Sequence, residues 1–583
     1  IMNQNTYLSK FRNALKQNNL DAYIQPRSDM FGGEEVPDYD ARLKFLSGFT
    51  GSAGIAVITL KNAILFTDGR YTLQARIQLN KSWEILPLLS NNWIDWITDY
   101  LRSGQNIGFD PWLVTASTYQ ILSEKMKIKG IAIKLDKTNL VDQVWTNRPK
   151  VIHKEPIRWK NNYFAVNAKN KVNDLLVEMK SRELDALIIT QPNQVCWLLN
   201  MRGNNLKYTP FFLGFLIVEK NGNLNIFSQC NLKYFNDNVH NHSFDKLEQY
   251  LSKFKNKYVA INNKNCPSII YNKLKHISAK VEHGFSFLQE KATIKNKKEI
   301  QHIRRCHIAD GVALVKFFYW IENNIKKQKI TEYDASEKLK NFRSENKNFI
   351  CESFPTIAAT GSNGAIIHYR PEEKKSKKID AKKLFLIDSG GQYFNGTTDI
   401  TRTVAFENQS SQIIDYYTYV LKAHICLAKL VFRTDARGNE IDAITRKALW
   451  EQGMDYNHGT GHGVGYCLGV HEFPPTISKN SDSILKIGQL LSNEPGFYIP
   501  RKFGIRLENL ILVKKFSNSI NNKFFCFETV SFCHFEKTLI NKDLLDKKEV
   551  HWLNDYHETV FHKLKNFLSQ DVRKWLRNKT KKI

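Results

Sequence analysis

Paired cysteines and long apolar runs are both missing from this chain. Its nine cysteines are scattered among 583 residues, none precedes residue 196, and no two form a Cys-x-x-Cys pair. This usage is typical of ordinary buried thiols in a reducing compartment. No apolar run approaches the roughly 18 to 20 residues of a membrane span, and the first sixteen residues lack the apolar core of a signal peptide. The sequence therefore predicts a soluble, cytoplasmic protein without a membrane partner.

Acidic residues are in short supply, with 57 Asp and Glu against 85 Lys and Arg and a formal net charge of +28. Clustered basic side chains favour anionic partners, because they release counterions from phosphates. Here Lys is scattered, and Asn and Ile are abundant too, so we interpret the charge as compositional bias and predict no specific nucleic-acid partner. Long polar tracts are also missing, which argues against extensive disorder.

Two segments in the first half of the chain are loosely similar. Residues 20–24, Leu-Asp-Ala-Tyr-Ile, and residues 184–188, Leu-Asp-Ala-Leu-Ile, each follow a helical stretch and precede a helical turn and strand-like runs. Each segment predicts the order helix, strand, helical turn and a pair of strands. A duplicated domain explains this similarity, and chance is the alternative, because short apolar words recur in α/β proteins.

A third region opens near Lys291 with a long helical pattern, in which one buried stripe is predicted. The stripe consists of Leu314, Phe317, Phe318 and Ile321. Thr331 and Asp334 then form a capping box that begins another helix. Apolar positions after residue 551 predict a C-terminal helix that packs on this region or on a dimer mate, and a nucleic-acid tail is the alternative. We therefore predict three domains, at residues 1–155, 156–290 and 291–583.

Two carboxylates follow one another in this third region. Residues 384–388, Leu-Phe-Leu-Ile-Asp, form a short apolar strand that ends in Asp388, and the chain returns through turn residues to Asp399 and a second strand. Adjacent strands would point both carboxylates into one pocket. As an alternative, both are turn residues. A carboxylate that ends an apolar strand costs several kcal/mol without a cation, however.

The most specific motif in the sequence is His-Gly-Thr-Gly-His-Gly-Val-Gly at residues 458–465. Its glycines allow the backbone to approach a bound group closely. Its two imidazoles, His458 and His462, can serve separately as hydrogen-bonding partner and metal ligand. A phosphate-binding loop is the alternative, but the Lys-Ser/Thr ending of a P-loop is missing.

Two further carboxylates follow downstream. Glu494 precedes a turn in Ser-Asn-Glu-Pro-Gly-Phe-Tyr at residues 492–498, and Glu508 lies in a predicted strand. Alternation places Arg506 on the same face as Glu508. Arg506 could orient carboxylates or a substrate there, and a cross-sheet ion pair between Arg506 and Glu508 is the structural alternative.

Together these motifs supply a hard, oxygen-rich set of candidate metal ligands, suited to Mn, Co, Zn or Fe. Two divalent cations that share bridging carboxylates can hold a hydroxide between them. The set therefore predicts a two-metal hydrolase whose metal ligands are Asp388, Asp399, His462, Glu494 and Glu508.

These motifs resemble those of aminopeptidase P, the Xaa-Pro aminopeptidase of the pita-bread metallopeptidases. The similarity also covers residues 47–54, 67–71, 364–369, 399–403, 470–472 and 554–557. It implies the long form of that enzyme, an α/β (α+β) protein with two related creatinase-type N-terminal domains before a pita-bread catalytic domain. It further implies a metal-dependent aminopeptidase that hydrolyses the N-terminal Xaa-Pro bond with a hydroxide bridging two metal ions. Its relatives are homodimers that use manganese, with Co²⁺, Zn²⁺ and Fe²⁺ as alternatives here.

The resemblance also implies roles for individual residues. Asp388 would bind one metal, Asp399 and Glu508 would bridge both, and His462 and Glu494 would complete the second site. Glu494 would relay a proton to the leaving proline nitrogen. The remaining predicted catalytic and substrate-binding residues are His368, His458, His471, Arg506 and Arg70.

The sequence departs from the family pattern at Phe473, where Gly commonly follows a His-Glu pair, and at Arg370. Both lie near the predicted pocket and affect its fine substrate preference. Two other functions stay open. A prolidase shares the metal chemistry but cleaves dipeptides and resembles a shorter chain with one N-terminal domain. Noncatalytic binding modules of this fold lose metal ligands that this chain retains.

Overall fold

The structure is a computed structural model, which describes residues 4–136, 138–151, 154–159, 161–230, 232, 238–518 and 523–583. The chain divides into two compact units. The first contains Ile1–Arg158, Val166–Leu206 and Phe211–Leu288, and the second contains Trp159–Ala165, Lys207–Pro210 and Gln289–Ile583.

The first unit is built around two six-stranded mixed sheets. In spatial order, the strands of one sheet are Glu84–Pro87, Ala63–Thr67, Ile55–Thr59, Ala22–Pro26, Asn106–Phe109 and Ala132–Leu135. Those of the other are Val239–His242, Leu224–Phe227, Phe215–Glu219, Ala186–Ile189, Tyr258–Ile261 and Lys280–Glu282. A short ladder also joins Ile157–Arg158 to Met201–Arg202.

The two sheets have the same topology. Ala22–Pro26 pairs antiparallel with Ile55–Thr59 on one side and parallel with Asn106–Phe109 on the other. Ala186–Ile189 has the same two kinds of neighbour in Phe215–Glu219 and Tyr258–Ile261. Both central strands begin at the Ala of the Leu-Asp-Ala segment, so the predicted duplication is confirmed and chance similarity is not needed to explain it.

Helices cover these sheets, and polar caps begin several of them. Thr115 accepts a hydrogen bond from the backbone N–H of Thr118, and Asn167 accepts one from that of Asn170, which satisfies donors that a helix start leaves unpaired. The helices up to residue 293 are Gln4–Gln17, Arg42–Ser47, Thr72–Gln78, Asn92–Tyr100, Ala116–Ile128, Leu140–Val144, Ala168–Ser181, Pro192–Leu199, Leu247–Leu251, Ser268–His276 and Phe287–Thr293.

The second unit contains the predicted long helix, Lys297–Asn324, in which all four residues of the predicted stripe are buried. The predicted capping box of Thr331 and Asp334 is also present at the start of Glu332–Ser344. These two helices cover a three-stranded sheet, with which they share an apolar core. The remaining helices are Ser411–Lys429, Gly438–Trp450, Lys547–Leu564 and Gln570–Lys579.

The strands of the second unit form four sheets in the part of the chain that the structure describes. The largest runs in the order Val431–Arg433, Phe524–Thr529, Asn509–Lys515, Leu490–Asn493, Gly461–Gly463 and Glu472–Ile477. Two three-stranded sheets are Ile357–Thr360, Phe385–Ser389, Ile400–Val404 and Phe349–Glu352, Gly391–Tyr393, Gly396–Thr397. Gly496–Ile499 pairs with Phe503–Arg506.

The C-terminal segment differs from the single helix that its apolar positions predict. Two helices follow each other, and Val560, Leu564 and Leu568 are buried in the core of the unit. Phe567 is instead 62% exposed, because a short 3-10 turn at Lys565–Phe567 separates the helices and changes the face that points inward. Across the part of the chain that the structure describes, every helix is too short or too polar to cross a membrane.

Candidate metal centre

Antiparallel pairing places the first two predicted ligands side by side. Asp388 lies near the end of an apolar strand, opposite Thr401, and Asp399 immediately precedes the strand Ile400–Val404. Glu508 joins them, because its backbone N–H donates to the Thr401 carbonyl at 3.0 Å and its Oε2 accepts from the Thr401 hydroxyl at 2.6 Å. Thr401 therefore ties Glu508 to the strand that follows Asp399.

The remaining predicted ligands complete a compact cluster. Asp399, His462 and Glu508 each offer a ligand atom, and these atoms lie within 4.8 Å of one another. The Nε2 atom of His462 is 3.5 Å from Asp399 Oδ2 and 3.4 Å from Glu494 Oε1. Asp388 is close enough to Asp399 for the two charges to interact. The fold therefore brings all five predicted ligands together.

Hydrogen bonds fix the orientation of His462. Its Nδ1 lies 2.9 Å from the Gly463 carbonyl. Because a carbonyl only accepts, Nδ1 carries a proton there, and Nε2 is the atom that faces the carboxylates. The Ser492 hydroxyl accepts from the His462 backbone N–H at 2.9 Å and donates to Glu494 Oε1 at 3.2 Å. Ser492 thereby links two of the predicted ligands.

Two glycines of the motif at residues 458–465 are required for strand packing. A Cβ atom on Gly461 would lie 2.1 Å from the Ser492 carbonyl oxygen, and one on Gly463 would lie 2.3 Å from that of Glu472. Both distances are far below van der Waals contact, so only glycine fits. The sequence predicts that these glycines approach a bound group, but the structure places them against neighbouring strands, where they hold His462 in position.

Two carboxylates of the cluster are held in unfavourable surroundings for negative charge. Burial, reinforced by the neighbouring carboxylates, raises the pKa of Glu508 well above its usual value. Burial also raises the pKa of Glu494 to about 7, with Asp399 acting in the same direction and His462 opposing it. Each of these side chains would ionise more readily beside a positive charge.

The other members of the cluster point to the same requirement. Burial raises the pKa of Asp388, although Arg506 opposes the shift. Burial disfavours a charged imidazole, yet Asp399 and Glu494 raise the pKa of His462 to about 9. Among the described residues, Asp388 Oδ1 is buried without a hydrogen-bond partner. Crowded, buried carboxylates with an unsatisfied oxygen fit divalent cations.

Arg506 is the buried counter-charge of this cluster, at 2% exposure. Its Nη2 donates to Asp388 Oδ2 at 2.5 Å, its Nη1 to the Tyr498 hydroxyl at 2.8 Å, and its Nε to the Thr401 hydroxyl at 3.2 Å. The ion pair is therefore made with Asp388, and not with Glu508 as the structural alternative proposed. Arg506 holds Asp388 in a fixed direction.

Two of the three predicted pocket histidines lie beside the cluster, and the third follows a residue that contacts Arg506. His458 Nε2 lies 2.9 Å from the Tyr498 hydroxyl, and its Nδ1 lies 4.0 Å from Glu494 Oε2. The His471 ring packs edge-on against His462, with ring centroids 4.3 Å apart. The third, His368, is half-buried and directly follows a residue whose carbonyl accepts from the Arg506 guanidinium at 3.4 Å.

Arg70 lies in the first unit, where its guanidinium pairs with Asp68 at 2.7 Å. Its predicted role in substrate binding stays a prediction. Sequence reasoning missed three residues that organise the site, namely Thr401, Ser492 and Tyr498. Each lies inside a recognisable motif, but a hydroxyl carries no spacing signal, so only its contacts identify it.

We expect divalent metal to stabilise the folded chain, because it neutralises the buried carboxylates. A metal at 100 times its dissociation constant adds about 2.7 kcal/mol to the free energy of unfolding. Thermal unfolding of chelator-treated protein, with and without Mn²⁺, measures this. The gain should shrink at low pH, since protons compete for the same ligands. An unchanged melting temperature at saturating metal would contradict a metal site here.

Several families of known proteins match this chain. Residues 301–515 match metallopeptidase family M24, and residues 523–583 match the C-terminal region of peptidase M24. Residues 8–142 and 147–299 each match the creatinase/prolidase N-terminal domain. Two successive matches to creatinase/prolidase N-terminal domains agree with the two sheets of equal topology.

Individual relatives match over the whole length. The probable Xaa-Pro aminopeptidase P of Botryotinia fuckeliana is 36% identical, over 98% of this chain and 91% of that protein. That of Talaromyces stipitatus is 35% identical, over 100% of this chain and 93% of that protein.

Solved structures agree with these matches. The X-prolyl aminopeptidase from Caenorhabditis elegans, described as a cytosolic enzyme with a di-nuclear active site, superposes with a TM-score of 0.95 at 32% identity and covers 100% of both chains. The Xaa-Pro dipeptidase from Bacillus anthracis has a TM-score of 0.51 at 22% identity and covers 64% of this chain and 99% of that one. This second similarity concerns the fold alone.

Proposed function

This chain belongs to metallopeptidase family M24, and we propose that it is a Xaa-Pro aminopeptidase, which removes the first residue from peptides whose second residue is proline. The observation that carries the proposal is the buried cluster around Asp399, His462 and Glu508, whose ligand atoms lie within 4.8 Å of one another. The two N-terminal domains of this chain favour this activity over that of a prolidase, because a prolidase resembles a shorter chain with one N-terminal domain.

Two divalent metal ions are the proposed cofactors, and Mn²⁺ is the proposed metal because four carboxylates and one imidazole form a predominantly oxygen-rich set. Asp388 would bind one ion, Asp399 and Glu508 would bridge both, and His462 and Glu494 would complete the second site. When bound, such ions lower the pKa of water and polarise a carbonyl.

The chain's own side chains would direct the reaction. His368 and His471 are proposed to donate hydrogen bonds to the scissile carbonyl oxygen, where negative charge develops. Glu494 is proposed to carry a proton to the leaving proline nitrogen. Ser492 orients the Oε1 atom of Glu494 at 3.2 Å, so that Oε2 faces His458.

Proline selection is proposed to come from the shape of the pocket. A proline amide lacks the N–H that many peptidases bind, and its ring fixes φ. His458 and Tyr498, which are hydrogen-bonded at 2.9 Å, offer two ring walls for that shape. Arg506 would keep this wall in place, because it donates to the Tyr498 hydroxyl at 2.8 Å.

Three further points are proposals. Arg70 would bind substrate, the protein would act as a homodimer, and it would work in the cytoplasm. Equilibrium sedimentation tests the dimer, and an Arg70→Ala variant tests the substrate contact.

We expect metal-loaded protein to cleave Arg-Pro-Pro after its first residue, with kcat/KM of about 10⁴ M⁻¹s⁻¹ or more. Gly-Pro should be a poorer substrate. Chromatography of the products measures both reactions. Cleavage of the dipeptide alone would instead favour a prolidase. If neither peptide were cleaved and duplex DNA bound tightly at physiological salt, the chain would be a binding module.

A further inference from the structure

The aromatic ring of Phe473 is exposed to solvent beside the candidate metal centre. It is 48% exposed, whereas Glu472, Pro475 and Ile477 of the same strand are buried. Single exposed apolar residues are ordinary on protein surfaces. The significance of this one comes from its neighbour, because its ring stacks on that of His471, with centroids 6.1 Å apart and planes inclined by 29°.

His471 connects this ring to the centre. Its imidazole also packs edge-on against His462, at 4.3 Å and 89°. Three rings therefore follow one another from a proposed metal ligand to solvent. When the scissile carbonyl of a peptide lies at the centre, the residues that follow it have to extend out of the pocket to solvent. The three rings line one such path.

The backbone that carries Phe473 is held on both sides. Glu472 forms an ion pair with Lys295, and Lys295 is 3% exposed. The Lys295 ammonium also donates to the Thr293 carbonyl at 3.2 Å. The carbonyl of Phe473 itself accepts from Gln289 Nε2 at 2.6 Å. A ring on a fixed backbone binds at a smaller entropic cost than one on a mobile loop.

We propose that Phe473 is a specificity-determining residue, whose ring contacts the side chain of the residue that follows the proline and favours an aromatic or apolar one. This inference rests on the proposed aminopeptidase function. A dipeptide ends at its proline and has no such residue, so the contact acts only on longer peptides.

The test compares Arg-Pro-Phe with Arg-Pro-Gly. An aromatic pair contributes about 0.5–1.5 kcal/mol beyond burial, so the wild-type protein should prefer Arg-Pro-Phe by about 2- to 13-fold, mainly through KM. Phe473→Ala should bring the ratio of the two kcat/KM values close to one, and Phe473→Tyr should retain it. Trp450→Ala is the matched control, because Trp450 is 49% exposed in the same unit, and it should keep the wild-type ratio.

A Phe473→Ala variant that kept the wild-type ratio would overturn the inference. If the wild-type protein cleaved neither peptide, the proposed function would be contradicted, independently of the inference about Phe473. Calorimetric titration of the same two peptides then still tests the contact. Equal affinity of Arg-Pro-Phe for the wild-type and Phe473→Ala proteins would overturn it. Weaker binding of Arg-Pro-Phe to the variant than to the wild-type protein would support it.

Discussion

Replacing Glu508 with glutamine should lower kcat/KM for Arg-Pro-Pro by about 10³-fold or more, since the loss of several kcal/mol of metal-centred stabilisation corresponds to that factor. Glu508 is 2% exposed and is a proposed bridging ligand. Glutamine keeps its shape but removes the charge that two cations would share. The melting-temperature gain on adding Mn²⁺ should disappear together with the activity.

The same substitution should leave the metal-free fold intact. Burial and the neighbouring carboxylates raise the pKa of Glu508 well above its usual value, so the metal-free fold disfavours the negative charge that glutamine removes. Steady-state kinetics, metal content and thermal unfolding in chelator separate the two effects. Glu528→Gln is the control, because Glu528 pairs with Arg304 at 2.7 Å and should retain activity. Full activity of Glu508→Gln would contradict the proposed bridging role.

Replacing Arg506 with methionine should destabilise the metal-free fold by about 3–5 kcal/mol, because removing one partner leaves the buried Asp388 carboxylate without its counter-charge. Methionine fills part of the volume but cannot replace the donors to Asp388, Tyr498 and Thr401. Urea unfolding in chelator measures the loss. Activity should also fall by about 10- to 100-fold, as expected when the partner of a metal ligand is lost.

Arg437→Met is the matched control for this substitution. Arg437 pairs with Asp482 at 3.3 Å, and both side chains are more than half exposed. An exposed ion pair contributes about 0–1 kcal/mol, so the control should unfold close to the wild-type midpoint. Equal unfolding midpoints for the two variants would show that the Arg506–Asp388 pair does not stabilise the fold.

Several features could be read from the sequence because each depends on neighbouring residues. The helix Lys297–Asn324 buries the predicted stripe, since helical periodicity determines which residues share a face. The capping box at Thr331 forms as predicted, because its two hydrogen bonds lie within four residues. The duplication is recognisable because both copies have a similar short sequence segment at the start of the equivalent strand.

Other features depend on residues that are far apart in the chain. Arg506 pairs with Asp388, 118 residues away, although alternation suggests Glu508 as its partner. Alternation places Arg506 and Glu508 on one face, but it does not say which strand lies opposite that face. The break between the last two helices, which exposes Phe567, was not predicted for a similar reason. Tertiary packing determines where a helix ends within a continuous apolar pattern.

The sequence by itself determined the kinds of ligand and the order of the motifs that supply them, because carboxylate and imidazole chemistry belongs to the residues. Only the tertiary structure decided how they meet. Pairing of Phe385–Ser389 with Ile400–Val404 sets Asp388 beside Thr401, and Thr401 holds Glu508 at 2.6 Å. Such contacts arise from strand register and burial, which no local pattern of residues encodes.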